Sequence, residues 1–436
     1  MSTSIVSPLD AARALGVRIV PDPAVTRGYV VERDPADPTT PGSAEVGGFA
    51  LAVRADTPAG VAAGCAQVAA ELHANLPVTV GRHTPPLGHR ALHVDAGRKY
   101  FTPDQLEDLL RMMAWARLNV LNLHISETLG YRLESRRHPE VVAPDHLTIA
   151  DVRRLRETAA DLGIRIVPGF DMPGHLGGVL EANPWAALAD GSRTYPGALD
   201  ILNPRATALV WDLLDEVIDI FDADEVTIGG DEFLDFGEGV PVLEAEAKRR
   251  FGAEAGENDV WIAFLNDTID RLAARGIAAG VYNDGIRGRR VVDLDRRATV
   301  HYWTRWGAHM APPADLAAAG YRLVNWDGEA LYFVLKNDPD NRLPTAQSVW
   351  QRFDPAAFPD KVGATRLDPA GACFSIWCDH PDALAGDEVV ALVREPLYTY
   401  GAVLWPVGRH RPLAALTDEA AAMISPVFRD NQERTR

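Results

Sequence analysis

The chain of 436 residues, 47% hydrophobic and 24% charged, is long enough for one large domain and a smaller one, with an ordinary apolar core. Its formal net charge of −18 excludes the lysine and arginine surplus that nucleic acid and anionic membranes demand, and leaves sugars and neutral or cationic small molecules as ligands. Cys65, Cys373 and Cys378 are too few and too scattered for a disulfide framework or a zinc ribbon, and the opening residues lack the basic and long apolar stretches of a secretory signal or membrane span, so a cytoplasmic protein is expected.

Residues 1–86 form one unit. Ile19-Val20, Tyr29-Val30-Val31 and Phe49 to Val53 read as strands between Pro- and Gly-rich punctuation, and an Ala-rich helix follows from about Pro58 to Leu76. This predicts a small N-terminal α+β domain, with Pro85-Pro86-Leu87-Gly88 as the joint.

From residue 87 to 436 short apolar runs alternate with amphipathic helices. The strands are Ala91–Asp95, Val120–His124, Ile164–Pro168, Glu225–Gly229, Ala278–Tyr282, Thr299–Trp303, Arg322–Trp326 and Cys373–Trp377. The intervening helices run from about Pro103 to Arg117, with Thr102 as N-cap, then Ile149 to Leu162, Pro204 to Phe221, and between Val240 and Ala274. Eight strands with helical connections predict an α/β fold, a (β/α)8 TIM barrel. An open doubly wound sheet is the alternative, but no Gly-rich phosphate loop follows the early strands.

A barrel carries its chemistry at the C-terminal ends of its strands. Polar and aromatic residues collect there: His124 and Glu127, Asp171 and His175, Asp231 and Glu232, Asn283 and Asp284, then Trp303, Asp327 and Trp377. The sharpest feature is Ile228-Gly229-Gly230-Asp231-Glu232 after the fourth strand. Neighbours within a strand face opposite sides, so two consecutive carboxylates reach one pocket only where the strand gives way to a loop, and the glycines permit that turn.

On these residues the sequence resembles glycoside hydrolase family 20, the β-N-acetylhexosaminidases, over essentially its whole length. Gly229-Gly230-Asp231-Glu232 resembles the family's Asp-Glu signature and Asp171-Met172-Pro173-Gly174-His175 its second signature. The Arg90 segment, with Asp95 and Arg98 beyond it, resembles the opening strand.

The resemblance implies hydrolysis of terminal β-linked GlcNAc or GalNAc with retention, the substrate's own 2-acetamido oxygen attacking the anomeric carbon to give an oxazolinium ion. Glu232 would act as acid and then base, and Asp231, ionised beside it, would orient the acetamido N–H. Arg90 would hold sugar hydroxyls, and His175 with Glu127 would form a relay behind Glu232, with Glu where the family usually has Asp. Tyr332 would bind the acetamido carbonyl. Val334 stands where the family often has a hydroxyl-binding Asp, and Asp379 replaces a family Glu. Trp303, Trp350 and Trp377 would form the aromatic wall, sugars offering apolar C–H faces to rings. His124, Asp171, Asn283 and Asp284 complete the expected substrate-binding set. No cofactor and no metal are implied, and the oligomeric state is not fixed.

Three other readings stay open: a metal-dependent hydrolase on His124, Asp171 and His175, a non-catalytic sugar-binding homologue, and an enzyme acting on a modified or disaccharide-releasing substrate.

Overall fold

The computed structural model describes residues 5–35, 49–191, 193–233, 239–405 and 411–424. Four strands, β1 (Arg18–Pro21), β2 (Tyr29–Pro35), β3 (Phe49–Ala55) and β4 (Gly81–His83), form an N-terminal sheet in the order β1-β3-β2-β4. Helices α1 (Pro8–Ala14) and α2 (Pro58–His73) belong to the same unit. The α2 helix also packs on α3 (Pro103–Trp115) and on the late helix Leu413–Ala421, and Arg411 bridges Glu71 of α2 to Glu419 there. Close approach at this seam requires glycine: a Cβ on Gly163, whose φ is +66°, would lie 2.0 Å from the Ala59 backbone nitrogen.

The barrel is closed. Its strands are β5 (His89–Asp95), β6 (Val120–Glu127), β7 (Arg165–Phe170), β8 (Glu225–Gly229), β9 (Ala278–Tyr282), β10 (Thr299–Tyr302) and β11 (Arg322–Asn325), followed by the short β12 (Tyr332–Val334) and by β13 (Gly371–Trp377). Each of β5 to β10 pairs in parallel with the next, and β13 pairs with β5 to shut the ring. The seventh stave comes in two pieces: β11 pairs with the start of β13, at Gly371 and Ala372, while β12 pairs with its end, from Ser375 to Trp377. That break lifts Tyr332 and Val334 to the mouth of the barrel.

Local chemistry agrees with these boundaries. Thr102 and Gln105 form a capping box at α3, and Thr148 and Asp151 do the same at Ile149–Asp161. Inside the barrel, Ala91, Val120, Val167, Val324 and Cys373 pack with Trp326 and Tyr282. His301 stacks on Trp326 at 4.7 Å, and burial lowers its pKa to about 3, so it fills the barrel as a neutral ring. Among the described residues no helix is long and apolar enough to cross a membrane.

Candidate active site

The end of β8 turns sharply. Gly229 and Gly230 have φ of +69° and +94°, and a Cβ on Gly229 would overlap the Asp171 carboxylate at 1.8 Å. Asp171 instead accepts the Gly230 N–H at 3.0 Å. Glu232 also sits in the left-handed region, at φ +53°, a conformation costing an L-residue roughly 1–2 kcal/mol. Its N–H donates to Asp284 Oδ2 at 2.9 Å, which holds the strained turn in place. As a result Asp231 and Glu232, consecutive in sequence, both line one pocket of about 270 Å³.

Tyr282, Trp303, Tyr332 and Trp377 form the walls of this pocket, and Arg98 and Asp379 stand at one side. Trp303 is parallel to Tyr332, with ring centroids 5.9 Å apart, and its Nε1–H donates to Asp284 Oδ1 at 3.1 Å. Burial and the nearby Asp231 charge push the Tyr332 phenol well above its ordinary value, so it remains a hydrogen-bond donor. Rings on several sides with a few polar groups converging between them make a surface suited to a sugar ring.

Behind Glu232 runs a chain of charges. His175 Nε2 lies 3.4 Å from Glu232 and its Nδ1 3.0 Å from Glu127. Arg98 reaches Glu127 at 2.7 Å and Asp95 at 2.9 Å. Burial alone would lower the His175 pKa, but Glu127 and Asp231 outweigh it and hold it well above 6.5. The same contact, with His175, draws the Glu232 carboxyl below its ordinary value. The proton therefore rests on His175, one short step from Glu232.

That placement gives a pH prediction. Glu232 and His175 share one proton, and the pair loses it as pH rises through the raised His175 value. Glu127→Gln removes the charge that most favours the imidazolium, so the alkaline limb of the kcat profile should move to lower pH. A pH–rate series for both proteins checks this. An unmoved limb would disconnect His175 from the titration.

Asp171 and Asp231 each leave one buried carboxylate oxygen without a donor, Oδ2 and Oδ1 respectively. Burial and the neighbouring Asp231 raise the Asp171 pKa well above the carboxylate range. A proton on Asp171 then eases the repulsion between the two groups. Asp284, also buried near Asp231, is pushed up to about 7.

Residues 87–368 match the model of glycosyl hydrolase family 20, catalytic domain, well over half the chain. The chain belongs to glycosyl hydrolase family 20. It is similar to a lacto-N-biosidase of Bifidobacterium bifidum, 29% identical over 79% of this chain and 31% of that protein. It also resembles a β-hexosaminidase of Emericella nidulans, 31% identical over 35% of this chain and 28% of that one. The chain thus spans less than a third of the length of either relative in the matched region. Among solved structures, β-N-acetylhexosaminidase from Bacteroides fragilis superposes with a TM-score of 0.71 at 18% identity, covering 89% of this chain and 79% of that one. Dispersin B does so at 0.60 and 20% identity, covering 72% and 98%. At these identities the likeness is one of fold, and it agrees with the family 20 barrel.

The family 20 pocket receives many of the residues expected from sequence. Asp231, Glu232, His175, Tyr332, Trp303, Trp377 and Asp379 line it, and Glu127 stands directly behind. Four others support the pocket from outside. His124 is buried, 3.6 Å from Glu127, and Asp171 holds the Gly230 turn. Asp284 anchors Glu232 and Trp303. Both amide atoms of Asn283 are used in clamping β9 to β10, through Thr304 and Trp303.

Two expected contacts are corrected. Arg90 is the second residue of β5 and so lies at the opposite, N-terminal end of the barrel. It donates there to the carbonyls of Leu87 and Arg117 and lies over Trp405. Arg98, three residues past the end of that strand, takes the mouth position. Applied to β5, the strand-end rule singles out Arg98 from sequence alone. Trp350 lies on the helix Ala346–Arg352, packed against the main core. At the seventh stave it is Trp326 that enters the barrel, fully buried below the pocket. The signal missed for this stave was the second strand piece, only three residues long. Tyr282, Trp306 and Lys336 also line the pocket without having been expected there.

Among the described residues, Asp171, His175 and Asp231 place ligand atoms within 4.8 Å of one another. Both His175 nitrogens, however, face carboxylates of the relay, and a histidine held as a cation is a poor metal ligand. His124 is not part of that group.

Proposed function

We propose that this protein is a retaining exo-hydrolase that removes terminal β-linked N-acetylhexosamine with the substrate's acetamido group as nucleophile. The observation that carries this reading is the delivery of Asp231 and Glu232 into a single aromatic pocket, with Tyr332 beside Asp231 and His175 behind Glu232. In that pocket the acetamido oxygen attacks the anomeric carbon as the bond to the leaving oxygen breaks. His175 passes its proton to Glu232, which gives it to the leaving oxygen and is left as a carboxylate. Asp231 accepts from the acetamido N–H and Tyr332 donates to its carbonyl, fixing the group in line. Glu232 then takes a proton from the water that opens the oxazolinium ion, so two inversions give net retention. Arg98 and Asp379, in the lining of the same pocket, supply hydroxyl contacts.

A second reading concerns substrate length. Past Val334 and Lys336 the pocket adjoins a further cavity of about 450 Å³, with Trp303, Trp306 and Tyr332 in the shared wall. Room on this side, together with the likeness to a lacto-N-biosidase, supports a terminal sugar that carries a substituent or a second sugar unit.

The test is hydrolysis of nitrophenyl β-GlcNAc and β-glucoside by purified protein, with and without chelator. The expected result is chelator-resistant cleavage of the GlcNAc compound alone. Equal cleavage of both would rule out acetamide participation. Silence on both, with release of nitrophenol from a disaccharide glycoside whose GlcNAc is bound to the nitrophenyl group and carries a second sugar, would favour the second reading.

A further inference from the structure

Of the chain's 43 lysines and arginines, four are lysines: Lys99, Lys248, Lys336 and Lys361. Two have partners: Lys99 donates to the Pro381 carbonyl at 2.6 Å, and Lys248 pairs with Glu244 at 2.9 Å. The other two, Lys336 and Lys361, both line the cavity of about 450 Å³ that adjoins the sugar pocket. They come from different parts of the fold. Lys336 lies two residues beyond β12, and Lys361 on the turn between the paired strands Ala357–Pro359 and Ala364–Arg366.

Both lysines are exposed, and among the described residues neither side chain makes an ion pair or a hydrogen bond. The acids around them are engaged elsewhere. Asp360, next to Lys361, pairs with Arg305 in a largely buried contact, and its oxygens also accept the Thr365 hydroxyl at 2.6 Å and the Lys361 backbone N–H at 2.7 Å. Asp379 feels the charge of Lys336 but makes its ion pair with Arg98, at 3.9 Å. Alternation along β12 turns Tyr332, Val334 and Lys336 to one side, where all three line both cavities, and the valine between brings no charge of its own. Of the residues lining the larger cavity, Glu329 alone is an acid without an ion-pair partner, and it is exposed.

In a chain whose acids outnumber its bases to a net charge of −18, two unpaired ammonium groups on the walls of one cavity mark a place for negative charge. An ammonium with three rotatable donors suits the oxygens of a sulfate or carboxylate. Trp306, its ring 58% exposed, offers a platform beside them for the apolar face of a sugar. We infer that this cavity is an anion subsite, in which Lys336 and Lys361 hold a sulfate or carboxylate group attached to the terminal N-acetylhexosamine. The group is either an ester on that sugar or part of an acidic sugar linked to it, and one binding chemistry serves both. This inference rests on the second reading above, that the cavity takes what the terminal sugar carries.

The experiment gives the purified protein nitrophenyl β-GlcNAc compounds in matched pairs. In one set the GlcNAc carries a sulfate ester at O3, O4 or O6, beside the unsubstituted parent. In the other it carries a hexuronic acid, or the corresponding neutral hexose, at the same positions. At low ionic strength one anionic compound should show a kcat/KM about tenfold above its neutral counterpart, as hydrogen bonds to charged groups supply. The set in which it falls identifies the source of the charge, and the preference should shrink toward unity in about 1 M salt. Lys336→Met and Lys361→Met, both at exposed positions, should each cut the ratio about threefold, and Lys361→Glu should cut it further. Anionic and neutral counterparts cleaved alike in both sets, or a preference that neither lysine variant lowers, overturns the inference. If the neutral disaccharide is cleaved in that case, the second reading survives it. Cleavage of the parent alone overturns both. Cleavage of none of the compounds overturns the hydrolase assignment, and this inference with it.

Discussion

Replacing Glu232 by Gln is expected to cut kcat/KM on disaccharide substrates by about 10²–10⁴-fold, the usual worth of a positioned general acid. Gln keeps the size and the left-handed backbone of the position, and the N–H bond to Asp284 stays, so folding should change little. What disappears is the proton shared with His175. Loss should be graded by the leaving group. A fluoride or nitrophenolate departs without a proton, so its cleavage to the oxazolinium stage should survive far better than that of a sugar alcohol. Steady-state kinetics across leaving groups of rising pKa check this as a steeper dependence in the variant. The same slope in both proteins would remove Glu232 from the acid role.

Arg98→Ala should be the most damaging change outside the Asp231-Glu232 pair, and it should act on stability and binding together. The guanidinium is the partner of two buried carboxylates, Asp95 and Glu127, and it lies over Trp377 at 5.5 Å. Asp95 also accepts the N–H of Cys378, so it ties the start of the Asp379 loop to the same cluster. Removing one partner from a buried ion pair costs about 3–5 kcal/mol, because the charges left behind remain desolvated. Thermal unfolding should therefore begin several degrees lower.

The loss should also depend on pH. In the native protein the Glu127 carboxyl is held well below 4.5. Burial raises it, but His175, His124 and Arg98 together prevail. A depressed carboxylate stabilises the fold above its unfolded value, and that contribution fades as pH falls through the folded one. The gap between wild type and Arg98→Ala should accordingly be wide at neutral pH and narrower in acid. Arg98→Lys should recover part of the stability while keeping KM high, since one ammonium cannot serve two carboxylates and a sugar hydroxyl as a planar fork does. Denaturation curves at two pH values and KM for all three proteins measure this. An Arg98→Ala protein as stable as wild type at neutral pH would refute the account of the cluster.

The eight barrel strands were legible in the sequence, apart from the second piece of the seventh stave, because each is a short apolar run and periodic helices follow the first four, a local signal. Asp231-Glu232 was legible for a related reason. Gly-Gly before two adjacent acids has no ordinary place in a strand, and the overlap of a Gly229 Cβ with Asp171 shows why glycine is needed. Arg90 was misplaced because its segment was read as a block, although direction along β5 assigns Arg90 to one end of the barrel and Arg98 to the other. Asn283 and Asp284 stand at a strand end as expected, but their side chains bind neighbouring backbone and Trp303. Position at a mouth does not say which way a side chain is used.

The sequence by itself determined the strand and helix pattern, the closed barrel it implies and the acids at the end of β8, since all of these follow from short-range periodicity and backbone preference. Only the tertiary structure decided which side chains share a pocket. The divided seventh stave brings Tyr332 and Val334 up beside Trp377, and Arg98 meets Glu127 from the adjacent strand. The proton of the site lies on His175 because three carboxylates from two other strand ends surround it. Contacts of this kind join residues far apart in the chain, and their electrostatics depend on distance and burial that no local pattern of residues encodes.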